Sequence, residues 1–474
     1  MHDEYFWSPG CTLESTLTMN ERIHSPDSYH APWEKIFGRI LTPFEEFIHQ
    51  QAAGGLVLIG CTVVALVLAN GPLAERYADL LQAHVTIGIG PWELDHSLQD
   101  WINDGLMALF FFLVGLEIKR EVLVGDLSDR RAAALPIVAA VGGMVVPAVI
   151  YAALNVGESG ARGWAIPMAT DIAFAVGVLA LLGNRVPKTL FTFLVALAIV
   201  DDLGAVTVVA LFYTEQIALE ALAIAGLFLG VLIVFNLAGV RNPVVHFLVG
   251  CLLWLAMFES GVHATIAGIL AAWTVPVRPK LEPRRFSRHV RQLMDQFDRL
   301  DRGRRTLIRN QQQRAIVQAL ESGIHKVESP LQRLEHTMHI PVAFLIIPLF
   351  ALANAGVPIE FASLGGTLAQ PMTLGIILGL VIGKLIGIAG FSLLAVRLGV
   401  GQLPTGCRAA HMVGVALLAG IGFTMSIFIA DLAFGDQQPG QLIDAKTDIL
   451  FASLLSGVAG YLWLRKFGGT AAGE

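Results

Sequence analysis

The sequence predicts an all-α polytopic membrane protein with about twelve transmembrane helices. Three observations carry that prediction. Of 474 residues, 55% are hydrophobic and only 15% are charged, whereas soluble domains run near 25% charged, so these few charges could not cover a soluble surface of this size. Apolar runs of roughly 17–25 residues, the length a helix needs to cross a bilayer, recur along the chain. The Lys and Arg residues gather in alternate connecting segments. The same composition excludes a disordered chain, a collagen-like fibre and a secreted disulfide scaffold. A net charge of −6 gives no reason to expect a nucleic-acid partner. The cysteines, Cys11, Cys61, Cys251 and Cys407, lack metal or redox spacing, and the three in or beside apolar segments read as small buried apolar residues.

The elements follow in order. Residues 1–52 form a polar N-terminal tail without a basic segment leading straight into an apolar one, so no cleaved signal peptide is expected. Spans one to eight occupy 53–274, at about 53–70, 105–122, 131–152, 164–182, 189–212, 219–238, 243–256 and 261–274. A basic loop covers 275–338. Spans nine to twelve occupy 339–466, at about 339–356, 373–394, 410–433 and 444–464, before a short tail over 467–474. With the N-terminus inside, inner segments hold 28 of the 32 Lys and Arg residues. The outer loops hold Arg76, Arg162 and Lys446, and Lys384 falls within a span. The positive-inside rule then makes both termini cytoplasmic.

Two connections are themselves structured. The first outer loop, about 84–95, alternates residue types from His84 to Gly90 and then turns at Pro91 and Trp92, which predicts a β-hairpin. Its edge can pair with a second copy of the chain or remain self-contained. In the basic loop, Phe286, Val290, Leu293, Phe297, Leu300 and Leu307 form a helical apolar stripe. The other faces carry Arg284, Arg285, Arg288, Arg291, Arg299, Arg302, Arg304 and Arg305. Three readings fit: a helix lying on anionic lipid, a short coiled coil between protomers, or a solvated linker helix.

Charges inside the spans carry the functional argument, because an ionisable residue at mid-bilayer costs about 2.5–3.5 kcal/mol. Four stand out: Asp171, Asp201, Asp202 and Lys384. Asp171 follows Pro167 and Thr170 in the fourth span. Proline removes a backbone donor, and Thr and Asp are poor in helix interiors, so this span should be two half-helices around an unwound centre. Asp201 and Asp202 are adjacent in span five and point about 100° apart, so one can face Lys384 of span ten while the other faces a cavity. Gly420 and Gly422 break span eleven in the same manner. Each broken span is the middle of a triplet, three to five and ten to twelve, and the triplets enter from opposite sides, which describes an inverted repeat. Where four half-helices meet, an Asp would balance the positive ends and a Lys the negative ends.

At these residues the chain resembles the NhaA-type sodium/proton antiporter family. The resemblance is carried by Trp101-Ile102-Asn103-Asp104, Phe112 to Glu121, Trp164 to Phe174, Ala198 to Gly204, Ser260 to Thr265, Pro348 to Val357 and Gly420 to Ala430. It runs from about Gly54 to Phe467 apart from the basic loop. It implies that Asp202, with Asp201, binds the sodium ion and the proton; that Thr170 and Asp171 support that site; and that Lys384 pairs with Asp201. It implies a cytoplasmic pH-response cluster of Glu117, Arg120, Glu121, Glu335 and His336, with His263 also linked to the pH response. It further implies electrogenic sodium or lithium export in exchange for protons, no cofactor and no enzymatic activity. The location would be a cell inner membrane, and the partner a second copy joined through the outer hairpin. Two features depart from the family pattern. The basic loop is much longer than in many relatives, and Asp431 stands near the outer end of span eleven, where a small neutral residue is expected; it reads as an exposed helix-end charge.

Physical chemistry supports the same reading. Sodium, a hard cation, takes oxygen ligands, and a proton competes for the same carboxylates. Two other classes fit the sequence less well. A sodium-coupled solute symporter would need a roomier pocket with aromatic or Arg contacts. An intramembrane aspartyl protease using Asp171 with Asp201 or Asp202 would leave Lys384 unexplained.

Overall fold

The computed structural model describes residues 52–89, 92–214, 217–279, 283–300, 311–358 and 370–469. Nearly all of the N-terminal tail, most of the C-terminal tail, the hairpin tip and Arg302, Arg304, Arg305 and Leu307 lie outside these residues.

The chain opens with α1 (Ala52–Asn70), α2 (Ala74–Leu81) and a hairpin of β1 (His84–Ile89) and β2 (Trp92–Ser97). Helices α3 (Leu98–Leu123) and α4 (Arg130–Leu154) follow. Next come the 3-10 helix α5 (Ser159–Met168), α6 (Ile172–Ala180), α7 (Lys188–Phe212), α8 (Leu219–Leu237), α9 (Pro243–Phe258) and α10 (Thr265–Thr274). The basic loop holds α11 (Pro283–Leu300) and α12 (Gln311–Val327). The last five are α13 (Pro330–Asn354), α14 (Pro371–Arg397), α15 (Ala409–Leu418), α16 (Phe423–Phe434) and α17 (Pro439–Phe467). Eight of these are long and apolar enough to cross a membrane: α1, α3, α4, α7, α8, α13, α14 and α17. The pairs α5–α6 and α15–α16 each have that character jointly but bend by 44° and 47°. Helices α9 and α10 are apolar but shorter. Hairpin aside, the chain is an all-α polytopic membrane protein.

Small residues set how closely these helices approach. A Cβ on Gly387 of α14 would lie 2.2 Å from the carbonyl oxygen of Gly142 in α4, and a Cβ on Gly142 would lie 2.4 Å from that of Gly387. The two backbones therefore touch, the packing that membrane helices use in place of a hydrophobic drive. The main apolar core spans α1, α3 to α7 and α13 to α17. A second cluster joins Phe112 and Leu116 of α3 to α8, α9, α10 and Leu331 of α13. Helix α3 thus lies at the seam between them.

The hairpin is antiparallel, pairing His84 with Ser97 and Ile89 with Trp92. Trp101 Nε1 donates to the Val85 carbonyl at 3.0 Å and ties it to α3. In the basic loop the stripe from Phe286 to Phe297 is half-buried and α12 packs on α11, with Phe286 3.1 Å from where a Gly323 Cβ would be. The cover of that stripe is therefore a helix of the same chain, while Arg288, Arg291 and Arg299 face outward. Helix α13 starts at Pro330, ahead of the expected span edge at 339, because Ser329 and Gln332 form a capping box with proline at the first helical position. Lys446, assigned to an outer loop from the sequence, lies inside α17 and is buried.

Candidate functional site

The backbone of Ala169, Thr170 and Asp171 leaves the helical path between α5 and α6, with Ala169 and Asp171 both extended. Pro167, the last residue but one of the 3-10 segment, supplies no N–H. Opposite, residues 419–422 separate α15 from α16. A Cβ on Gly420 would lie 2.2 Å from Ser456 Oγ and 2.3 Å from the Leu380 carbonyl oxygen. Glycine is required there for close approach of α14 and α17, over and above the weakening of helix expected from the sequence.

The two breaks cross and satisfy one another. Asp171 N–H donates to the Ile421 carbonyl at 2.7 Å, and the Thr170 hydroxyl donates to the Ala419 carbonyl at 2.8 Å. Asp171 Oδ1 accepts from the Phe174 N–H at 2.9 Å, and Oδ2 accepts from Thr424 N–H at 3.1 Å and the Thr424 hydroxyl at 2.5 Å. One carboxylate therefore caps the N-termini of both α6 and α16, where helix dipoles favour negative charge. The Lys384 ammonium donates to the Met168 carbonyl at the C-terminal end of α5, where a cation is favoured. It also reaches Thr170 Oγ1 at 3.0 Å and Asp201 Oδ2 at 2.7 Å.

All five groups are sealed from solvent: Thr170 and Lys384 are 0% exposed, Asp201 and Asp202 1%, and Asp171 2%. Asp201 holds Lys384 through one oxygen. Among the described residues, Asp201 Oδ1 and both oxygens of Asp202 have no hydrogen-bond partner. Asp202 lies within electrostatic reach of Asp201, Glu117, Asp171 and Lys384. Buried polar groups are normally satisfied, and a buried unpaired carboxylate is the costliest exception. Asp201 and Asp202 thus offer up to three carboxylate oxygens, without a hydrogen-bond partner among the described residues, to a proton or a hard monovalent cation.

The second predicted cluster also assembles in part. Arg120 Nη1 lies 2.8 Å from Glu335 Oε1 and Nη2 lies 2.7 Å from Glu121 Oε1, with Glu117 close by. His336 follows Glu335 on an exposed face of α13. His263 is elsewhere, before α10, with Nε2 2.8 Å from the Tyr213 carbonyl oxygen.

Sequence reasoning passed over three features. Thr424 and Ser453 support the crossing, Ser453 Oγ accepting from the Phe423 N–H at 3.1 Å. Lys384 stands between two π-helical segments, Gly379–Gly383 and Leu385–Gly390, signalled by Gly379, Gly383 and Gly387 at every fourth position. Asp431 is not an exposed end charge: its side chain is 25% exposed and lies 3.8 Å from the buried Lys446 ammonium.

Residues 45–464 match the family described as Na+/H+ antiporter 1. The Na+/H+ antiporter NhaA 1 of Saccharophagus degradans is 52% identical over 437 residues, covering 92% of this chain and 94% of that protein. The Na+/H+ antiporter NhaA of Sulfurimonas denitrificans is 51% identical over 436 residues, with 92% and 98% covered. That of Syntrophobacter fumaroxidans is 49% identical over 446 residues, with 93% of each chain covered.

Proposed function

Because the chain belongs to the Na+/H+ antiporter 1 family, we propose that it exports sodium or lithium in electrogenic exchange for protons, using Asp202 and Asp201 as the shared binding site. It is a secondary transporter and not an enzyme. The observation that carries the site is the fully buried Asp202, whose oxygens have no hydrogen-bond partner among the described residues, next to an Asp201 already held by Lys384. A buried charge of this kind demands a counter-ion or a proton. Sodium and a proton then compete for the same oxygens, and reorientation of the loaded carrier couples their fluxes without further machinery. Thr170 and Asp171 hold the crossing in place, and Lys384 balances Asp201 when no cation is bound.

With two acidic groups and one monovalent cation, more protons than sodium ions move per cycle. Each net charge is driven by about 2.3 kcal/mol per 100 mV of membrane potential. A negative interior then pulls protons in and drives sodium out. A count of twelve crossings, with α9 and α10 as short ones and α4–α7 and α14–α17 as inverted repeats, fits both bent pairs. The charge bias of the loops supports cytoplasmic termini in an inner membrane, which makes the Arg120–Glu335 cluster cytoplasmic and suits it to setting the pH response. The β1–β2 hairpin supplies an edge through which two copies can join. The experiment is a sodium or lithium pulse to reconstituted protein with a pH-sensitive dye trapped inside. Proton movement on sodium alone supports this reading; a requirement for an organic solute would replace it with symport.

A further inference from the structure

A second buried polar network lies away from the ion site and joins four helices. Asn103 of α3 donates to Asp431 Oδ2 of α16 at 3.0 Å. Asn354 of α13 donates to Asn103 Oδ1 at 2.7 Å, and Lys446 of α17 donates to Asn354 Oδ1 at 3.2 Å while lying 3.8 Å from Asp431 Oδ1. Asn103, Asn354 and Lys446 are 6%, 2% and 7% exposed. Helix geometry places the network. Asp431 stands seven residues past Thr424, about 10 Å beyond the crossing, and Asn103 stands fourteen residues before Glu117, about 21 Å from it. The network therefore lies on the side of the crossing away from the Arg120–Glu335 cluster.

Directly beneath it is an aromatic layer. The Phe428 ring of α16 lies 5.5 Å from that of Phe111 in α3 and 6.4 Å from that of Phe350 in α13. Below that layer is a cavity of about 10 Å³, lined by Phe111, Val206, Val209, Met425 and Phe428 among others, with room for about one water. Val206 is one turn past Asp202 on α7. The way from Asp202 toward this end of the molecule thus meets a small apolar void, then an aromatic plug, then hydrogen bonds that tie α16 and α17 to α3 and α13.

We propose that Asp431 and Lys446, with Asn103 and Asn354, form a polar latch that closes the outer end of the ion path, and that sodium leaves only after this latch opens. The inference rests on the transport reading above for its direction. Asp431 is a positioning residue: it binds no transported ion here but holds α16 against α3, and its carboxylate is matched by Lys446. A charge-assisted hydrogen bond holds a closed state more firmly than a neutral one.

The test uses a reporter beneath the plug, Val209→Cys, and a membrane-impermeant thiol reagent. Labelling is taken as the excess over the same chain without the reporter. From intact cells, Asp431→Ser or Lys446→Met should speed labelling roughly tenfold, the scale of losing one charge-assisted hydrogen bond from the closed state. In everted vesicles, where the reagent meets the other face, the rate should not change. Unchanged labelling in both variants, or equal acceleration from both faces, overturns the latch. Sodium-driven proton movement in the parent chain separates the two claims. Accelerated outer labelling without such exchange keeps the latch and sinks the transport reading, and exchange with unchanged labelling sinks the latch alone.

Discussion

Lys384 Nζ lies 2.7 Å from Asp201 Oδ2, and neither side chain reaches solvent. The pair crosses between α14 and α7 and brings one cation and one anion to the same depth. Removing a single partner leaves an uncompensated buried charge, which costs about 3–5 kcal/mol. Lys384→Ala should lower thermal stability in detergent by an amount of that order. Adding Asp201→Asn to it should recover most of the loss. A double variant no more stable than Lys384→Ala would count against the pairing as the source of stability.

Gly420 tests the crossing itself. An Ala side chain there would press on Ser456 Oγ and the Leu380 carbonyl, and overpacking of this kind costs about 1–3 kcal/mol. Gly420→Ala should reduce exchange sharply and lower the melting temperature. Gly60→Ala, where among the described residues no atom outside the local helix backbone lies within 4 Å of the added Cβ, should leave both near the parent values.

The Arg120–Glu335 pair, 2.8 Å apart, predicts a change in regulation without loss of transport. Glu335→Gln should shift the pH profile of exchange while maximal activity stays close to that of the parent. A profile that overlays the parent's would remove Glu335 from the pH response.

In the hairpin, the Thr86 hydroxyl donates to Asp95 at 2.9 Å and, with His84 alongside, holds the Asp95 carboxyl below the ordinary carboxylate range. The folded form therefore favours the charged state. Its contribution is present above the unfolded value near 4 and is lost as pH falls through the lower folded value. Hydrogen exchange of the β1 amides, corrected for intrinsic rates, should show protection that fades in that acid window, and Thr86→Val should flatten the dependence.

Much of this was readable from residues alone, for physical reasons. Proline at 167 and glycines at 420 and 422 locate the breaks because backbone chemistry is local. Asp171, Asp201, Asp202 and Lys384 are conspicuous because charge in an apolar run is costly wherever it occurs. What was not readable depends on three-dimensional company. Lys446 reads as a loop charge in sequence, and only its partner Asp431 and the Asn103–Asn354 pair show it buried between helices. Thr424 becomes a support of Asp171 only once two half-helices cross. The apolar stripe of α11 had three readings because sequence periodicity shows a face but not what covers it, and α12 covers it.

Sodium and the proton are proposed to compete at Asp202, which is buried and without a hydrogen-bond partner among the described residues. The most direct measurement is sodium-induced proton release in everted vesicles carrying Asp202→Asn, which keeps the side-chain shape and removes the charge. Release should be abolished in that variant while the protein remains folded and inserted. Exchange at the parent rate would contradict this assignment.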